Sequence, residues 1–271
     1  MLKTRVFLGV LAGLLAMAVC ASASTSPITL TDYFGTNSVV RIDPYTQAGV
    51  YDWLVDGSDQ ITQNSYWFRI GDSGPASPIS SIGSVSVNHT IDSAATVIYS
   101  GSTFDLQITY TLIGADPGSG TSDLAQTVLL KNKTGSKLDL HLFEYANLDL
   151  SGTASGDSAA HTSATHITQQ DGKTTSELGV QVLPNHWEIA SDGGIINRMT
   201  SATFRNLSDS SSPASGNVDF AYQWDLSLAR YSSLSISQDD LLAGAAVPEP
   251  GSIVVLAGGI GLLPLLRRRR H

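Results

Sequence analysis

Apolar and polar residues alternate with a period of two through most of this 271-residue chain, and this pattern restricts its fold more than any other feature. In "FDLQITYTLIG", Leu106, Ile108, Tyr110 and Leu112 fall on one face, with Gln107, Thr109 and Thr111 opposite. "VDFAYQWDLSLA" sets Phe220, Tyr222, Trp224, Leu226 and Leu228 against Ala221, Gln223 and Asp225. "KLDLHLFEYANLDL" alternates through Leu138, Leu140 and Leu142 and resumes at Ala146, Leu148 and Leu150. A strand turns successive side chains to opposite faces, so the pattern predicts half-buried antiparallel strands.

Shorter runs of the same kind are "SVVRID", "GVYDWLV", "SYWFRIG", "VSVNHTI", "TVIYS", "AQTVLLKN", "GVQVLP" and "SLSISQ". Turn signals separate them, among them Asp43-Pro44, Asp56-Gly57, Asp116-Pro117-Gly118 and Asp171-Gly172. Ser, Thr, Gly and Asp abound while Lys and Glu are scarce, which disfavours surface helices. The expectation is an all-β body, an antiparallel β-sandwich or jelly-roll-like fold, with one short helix near Gly194 to Thr200. The polar stretch Leu207 to Asn217 reads as a surface loop.

Both ends break the pattern. Lys3 and Arg5 precede the apolar run Val6 to Val19, and Ala21-Ser22-Ala23 offers a small-x-small cleavage site. Residues 1–23 therefore read as a signal peptide, used by the Sec translocase and signal peptidase, with an exported body over 24–246. The single cysteine, Cys20, leaves with the signal, so no disulfide is expected in the body. At the other end, Val247-Pro248-Glu249-Pro250 leads into a 251–266 apolar helix and then Arg267, Arg268, Arg269 and Arg270. The apolar stretch from Ile253 to Leu266 spans roughly 21 Å as a helix, short of the ~30 Å hydrocarbon core. The arginines hold the C-terminus in the cytoplasm and the body outside.

These three parts, in this order and at the extreme C-terminus, resemble the PEP-CTERM sorting signal. The resemblance covers residues 247–271 and implies recognition by an exosortase, a membrane transpeptidase-like enzyme of Gram-negative bacteria that make exopolysaccharide. It makes Val247, Pro248, Glu249 and Pro250 the sorting motif and Arg267 to Arg270 the membrane stop. It also implies a transient anchor followed by release to the cell surface. The body looks like domains seen ahead of such tails, with "YDWLVDG" and "GSGTSDLAQTVLLKN" carrying the likeness, and that likeness brings no assigned activity.

The chain carries 15 Lys and Arg against 24 Asp and Glu. Removing Lys3, Arg5, Arg267 to Arg270 and Glu249 leaves 9 against 23, a net −14 for the body. Such a surface repels phosphate backbones and excludes nucleic acid as a partner. No G-x-S-x-G elbow, H-E-x-x-H helix or paired C-x-x-C occurs, and no cofactor or metal is assigned. Asp52, Asp56 and Asp59, or Asp149 with Asp157, offer loop oxygens to calcium, yet neither set matches the twelve-residue calcium loop. His161 and His166, five apart in an extended stretch, point to opposite faces and share no metal.

Of the four tryptophans, Trp67 alternates with Tyr66, Phe68 and Ile70 and shares its face with Arg69, so Trp67 and Arg69 are the candidate glycan contacts. With no linear catalytic motif, the leading expectation is a non-enzymatic surface or matrix protein held near exopolysaccharide. The alternative is a carbohydrate-binding module or a glycan-active enzyme of the β-sandwich type.

Overall fold

A computed structural model describes residues 25–33, 37–212 and 215–244. The signal-peptide and sorting-tail expectations, including Ala21, Ala23, Val247 to Pro250 and Arg267 to Arg270, lie outside these residues. Among the described residues no helix is long and apolar enough to cross a membrane.

In chain order the first strands are β1 (Ile28–Thr31), β2 (Ser38–Asp43), β3 (Gly49–Val55), β4 (Ser58–Asp59), β5 (Gln63–Ile70) and β6 (Ser77–Pro78). There follow β7 (Ser84–Ile91), β8 (Ala94–Ser100), β9 (Phe104–Gly114), β10 (Ser122–Asn132) and β11 (Leu138–Asn147). After a 3-10 turn at Leu150–Gly152 come β12 (Asp157–Ser163), β13 (His166–Asp171), β14 (Thr174–Val180) and β15 (His186–Ser191). The helix α1 (Gly194–Met199) precedes β16 (Ser210–Ser212), β17 (Ser215–Gly216), β18 (Val218–Leu228) and β19 (Ser233–Ala243). Most alternating runs became strands, but of "GVQVLP" only Gly179 and Val180 lie in β14, and Leu148 and Leu150 follow the end of β11. The short helix falls where its sequence predicted, and part of the Leu207 to Asn217 loop pairs as β16 and β17.

Two sheets form a β-sandwich. Sheet A runs β1-β2-β3-β5-β11-β18-β15-β16, with β4 on β3 and β6 on β5. Sheet B runs β17-β12-β13-β14-β19-β10-β9-β8-β7. Pairing is antiparallel except for β15 with β16 and a short bridge from Gly49 and Val50 to Asn64. The inward positions of both sheets make the main core, where Leu106, Ile108, Leu140, Leu142, Phe220 and Trp224 are at most 1% exposed.

Buried polar groups cross this core. The Tyr66 hydroxyl donates to Gln238 Oε1 (2.5 Å), and Asn64 Nδ2 donates to Glu144 Oε1 (3.1 Å). Gln126 Nε2 donates to Asn64 Oδ1 (3.3 Å), so side chains of β5 in one sheet bond β10 and β19 in the other.

A second, smaller core lies on the outer face of sheet A. Trp67, Phe143, Tyr145 and Ala221 point outward there and are covered by Ile195, Met199, Phe204 and Leu207. This cover explains why alternation lapses at Phe143-Glu144-Tyr145 and along Val218 to Trp224: both faces of the central strands are buried.

Candidate functional site

The cover stops short of one end of sheet A, and polar residues gather at its margin. The outward positions Arg69 on β5, His141 on β11 and Asp225 on β18 stand opposite one another in register. One step along, Phe143 faces Gln223, which also faces His186 on β15. Strand registry therefore brings together residues from four strands that are up to 156 positions apart in sequence, and the Arg205 to Asp209 segment closes the margin.

Asp225 sits at the centre. His141 Nδ1 lies 2.6 Å from its Oδ1, and His186 Nε2 lies 3.6 Å from its Oδ2. Gln223 Nε2 donates to Asp225 Oδ1 (2.7 Å) and to Asn206 Oδ1 (2.9 Å), while its Oε1 accepts the Leu207 N–H (2.9 Å). These bonds fix Asn206 with its amide nitrogen toward His186 Nε2, 3.2 Å away. On the other side of the ring, His186 Nδ1 meets Asp209 Oδ2 at 2.7 Å. Neutral His186 therefore carries its proton on Nδ1, donates to Asp209 and accepts from Asn206 at Nε2. Neutral His141 likewise donates from Nδ1 to Asp225, which leaves the lone pair on Nε2.

Burial pushes the Asp225 carboxyl up, but hydrogen bonds from Gln223 and His141 and the charges of His141 and His186 outweigh it. The net effect holds Asp225 below the usual carboxylate range, so it stays an anion between two imidazoles. The site is open enough to meet a ligand: the side chains of His141, His186 and Asp225 are 13%, 24% and 32% exposed. A base, a second imidazole and an orienting carboxylate on one accessible strip are the parts required for general acid–base catalysis. Among the described residues no three His, Cys, Asp or Glu side chains group as a metal set.

The two residues proposed from sequence point outward from this same face, but the covering segment buries both. Trp67 is 2% exposed, and its Nε1 donates to Ser65 Oγ (3.1 Å). It packs in the second core and is not an exposed sugar platform. Arg69 is 3% exposed, with its guanidinium 5.7 Å from the Phe143 ring centre and 5.3 Å from that of Phe204. Its Nε donates to Gly71 O (2.9 Å) and its Nη1 to Arg205 O, so Arg69 ties the covering segment to the sheet. The other tryptophans give no platform either: Trp53 and Trp224 are fully buried, and Trp187 is half-buried with His161 stacked on it at 4.1 Å.

Sequence reasoning missed His141, His186, Asp209 and Asp225 because no linear motif joins them. The available signal was weak: a histidine and an aspartate at outward positions of apolar strands, in "LHLF" and "QWDL". A separate groove of about 610 Å³ crosses the outer face of sheet B, where Ala125 and Gly179 leave room between His166, Glu177 and Asp239. Beside it, burial and then the hydrogen bond to Asp239 push the Asp123 carboxyl up to about 7.

No family model matches the chain, and no curated protein does. Solved structures do. A bacterial glucoamylase complexed with acarbose superposes with a TM-score of 0.57 at 10% identity over 87% of this chain, which spans about a third (34%) of that protein. An Escherichia coli K12 protein classed with the aldose 1-epimerases superposes at 0.55 and 9% identity, covering 81% of this chain and 99% of its own. A galactose mutarotase related enzyme from Lactobacillus acidophilus gives 0.53 at 8% identity, with 83% and 99% covered.

At such identities the likeness establishes the fold. It corrects the expectation of a non-enzymatic body, which rested on the lack of a linear catalytic motif. This sandwich is shared with proteins named as a glucoamylase, an aldose 1-epimerase and a galactose mutarotase related enzyme, and strand registry gathers polar side chains without any linear motif, as at His141, Asp225 and His186. The chain is thus an antiparallel β-sandwich of the architecture found in carbohydrate-active proteins.

Proposed function

We propose that residues 24–246 form an exported carbohydrate-active domain that binds a sugar ring over His141, Asp225 and His186 and transfers protons on it. The observation that carries this reading is the position of Asp225, an anion bonded to one imidazole and facing a second, on an open strip of a fold shared with sugar enzymes. In the reaction, His141 Nε2 takes a proton from the anomeric hydroxyl. As the sugar displaces the Asn206 amide from His186 Nε2, that nitrogen takes up a proton and gives it to the ring oxygen while the bond from that oxygen to the anomeric carbon breaks. Asp225 steadies the imidazolium produced at His141, and closure of the ring on either face reverses both transfers. Exposed Asn206 and Asn185, the latter accepting the Asp225 N–H on its Oδ1 (2.8 Å), supply the amide groups that bind hydroxyls in a wet, polar site, while buried Gln223 holds Asn206 and Asp225 in place. The same proposal has the domain delivered through its PEP-CTERM-like tail to a surface where exopolysaccharide is the neighbouring glycan.

The test follows anomer equilibration of D-glucose and D-galactose by polarimetry, with a glycan array on residues 24–246. Wild type should accelerate equilibration or retain a defined glycan, and His141→Gln should lower the rate by about 10²–10⁴ while leaving the fold intact. Equal rates for the wild type, the variant and buffer, with an empty array, would sink the reading.

A further inference from the structure

A sheet that ends on a long strand offers a row of backbone donors and acceptors to any chain that can pair with it. Proteins blunt such edges with short strands, charges or proline. Three of the four sheet edges here are short: β1 has four residues, β16 three and β17 two. The fourth is β7, with eight residues, and among the described residues its neighbour in the sheet is β8 alone. In an antiparallel ladder every second residue of an edge strand turns its N–H and C=O away from that neighbour. The sequence of β7, "SVSVNHTI", has no Lys, Arg, Asp, Glu or Pro, although the body around it carries a net charge of −14.

Pairing of β7 with β8 is regular from Ser84 to Asn88, and the register then slips before Ile91. Within that stretch Ser84, Ser86 and Asn88 are exposed on the outer face, while Val85 and Val87 turn inward, half-buried against the core. The two valines border a groove of about 580 Å³ between β7 and β1, the edge of the other sheet, and Ile28 and Tyr45 line it too. The Thr31 N–H donates to Asp92 O (2.9 Å), which ties the two edges together beside the β7–β8 turn.

We propose that β7 is an assembly edge, and that it pairs antiparallel with β7 of a second copy of this chain about a twofold axis. Charge selects this occupant. A charged strand finds no counter-charge on β7, whereas a second β7 brings an equally neutral one. Geometry selects the register. An axis at Ser86 uses the whole regular stretch, sets Val85 opposite Val87 of the second copy on the inner face, and sets Ser84 opposite its Asn88 on the outer face. A one-residue slip opposes serine to valine and loses that match. An axis at Val87 or Val85 runs into the bulge or off the start of the strand. The new backbone bonds join the two nine-stranded sheets, and the valines of both copies close over the grooves. The pairing uses neither the His141–Asp225–His186 strip nor the tail, so it is independent of the sugar chemistry.

The experiment is sedimentation equilibrium of the full chain in a density-matched mild detergent, from about 1 to 200 µM. The wild type should pass from one copy per particle to two with a Kd on the order of 10 µM, as befits a small interface of one strand pair. Ser86→Lys places two lysines opposite each other on the axis and should raise that Kd at least ~10-fold. Its melting midpoint should match the wild type, because Ser86 is exposed. Ser86→Glu should weaken the dimer in the same way. An equal mixture of the two variants should restore it, since the axis then sets lysine against glutamate. A wild type that stays single at the highest concentration overturns the proposal. So does a dimer that Ser86→Lys leaves intact, or a mixture that stays apart, since any contact would then lie away from β7.

Discussion

Trp67 shows how far a single residue can be read from its sequence. Its neighbours place it correctly on the face of β5 opposite Tyr66 and Phe68, and the local pattern stops there. Whether that face meets solvent depends on Phe204 and Leu207, about 140 residues later, which cover it. Arg69 is misread for the same reason: its guanidinium ends against Phe143 and Phe204 instead of water. His141 and Asp225 carry the converse lesson, because each is an unremarked polar residue until registry sets them side by side. Trp67→Ala should therefore act on stability, costing about 3–5 kcal/mol in urea or thermal unfolding. Sugar affinity per folded molecule should hardly change. A large loss of affinity in a variant of native stability would restore Trp67 as a contact.

Elements were far more legible than their partners. Period two fixes which side chains share a face of β9, β10 or β19, and it does so without any knowledge of the sheet. It cannot say that β5 lies beside β11, or that β3 touches β5 in parallel through a single short bridge. That bridge hinges on Gly49, which has φ +62° and whose added Cβ would collide with Asn64 O. Positive φ and close backbone approach both require glycine here. Gly49→Ala should destabilise by at least ~2 kcal/mol and loosen β3 against β5, read as faster amide exchange at Val50 and Asn64. Unchanged stability and exchange would show that the strands separate freely at this point. The helix α1 has only six residues, too few to persist alone, and it stands because Ile195 and Met199 are buried in the second core.

For the molecule as a whole, buried carboxyls set the response to pH, Glu144 and Asp240 between the sheets and Asp219 under the cover of sheet A. Burial pushes the Glu144 carboxyl up to about 8, and likewise Asp219 to about 7 and Asp240 to about 6. The folded state therefore holds protons that the unfolded chain releases above pH 4–5. Stability is greatest below that range and falls as pH rises toward 8, by on the order of a few kcal/mol. Asp225 works the other way, because its depressed folded pKa gives stability that is lost only as pH drops below the usual carboxylate range. Urea unfolding at pH 5.5 and 8.5 should show the more stable protein at pH 5.5, and Glu144→Gln should flatten the difference. A wild type more stable at pH 8.5 would mean that these carboxyls are compensated.

The place of β19 also carries a consequence in time. It is the last strand of the sandwich, yet it lies inside sheet B between β14 and β10, where Leu242 pairs with Ser122. Sheet B cannot close until the final residues of the body are available, so pairing across more than a hundred residues dominates the folding rate. For a chain threaded unfolded through a translocase, the sandwich stays incomplete until residue 243 has crossed. Under the export proposed above, folding and arrival of the proposed sorting tail at the membrane then fall at the same moment of synthesis.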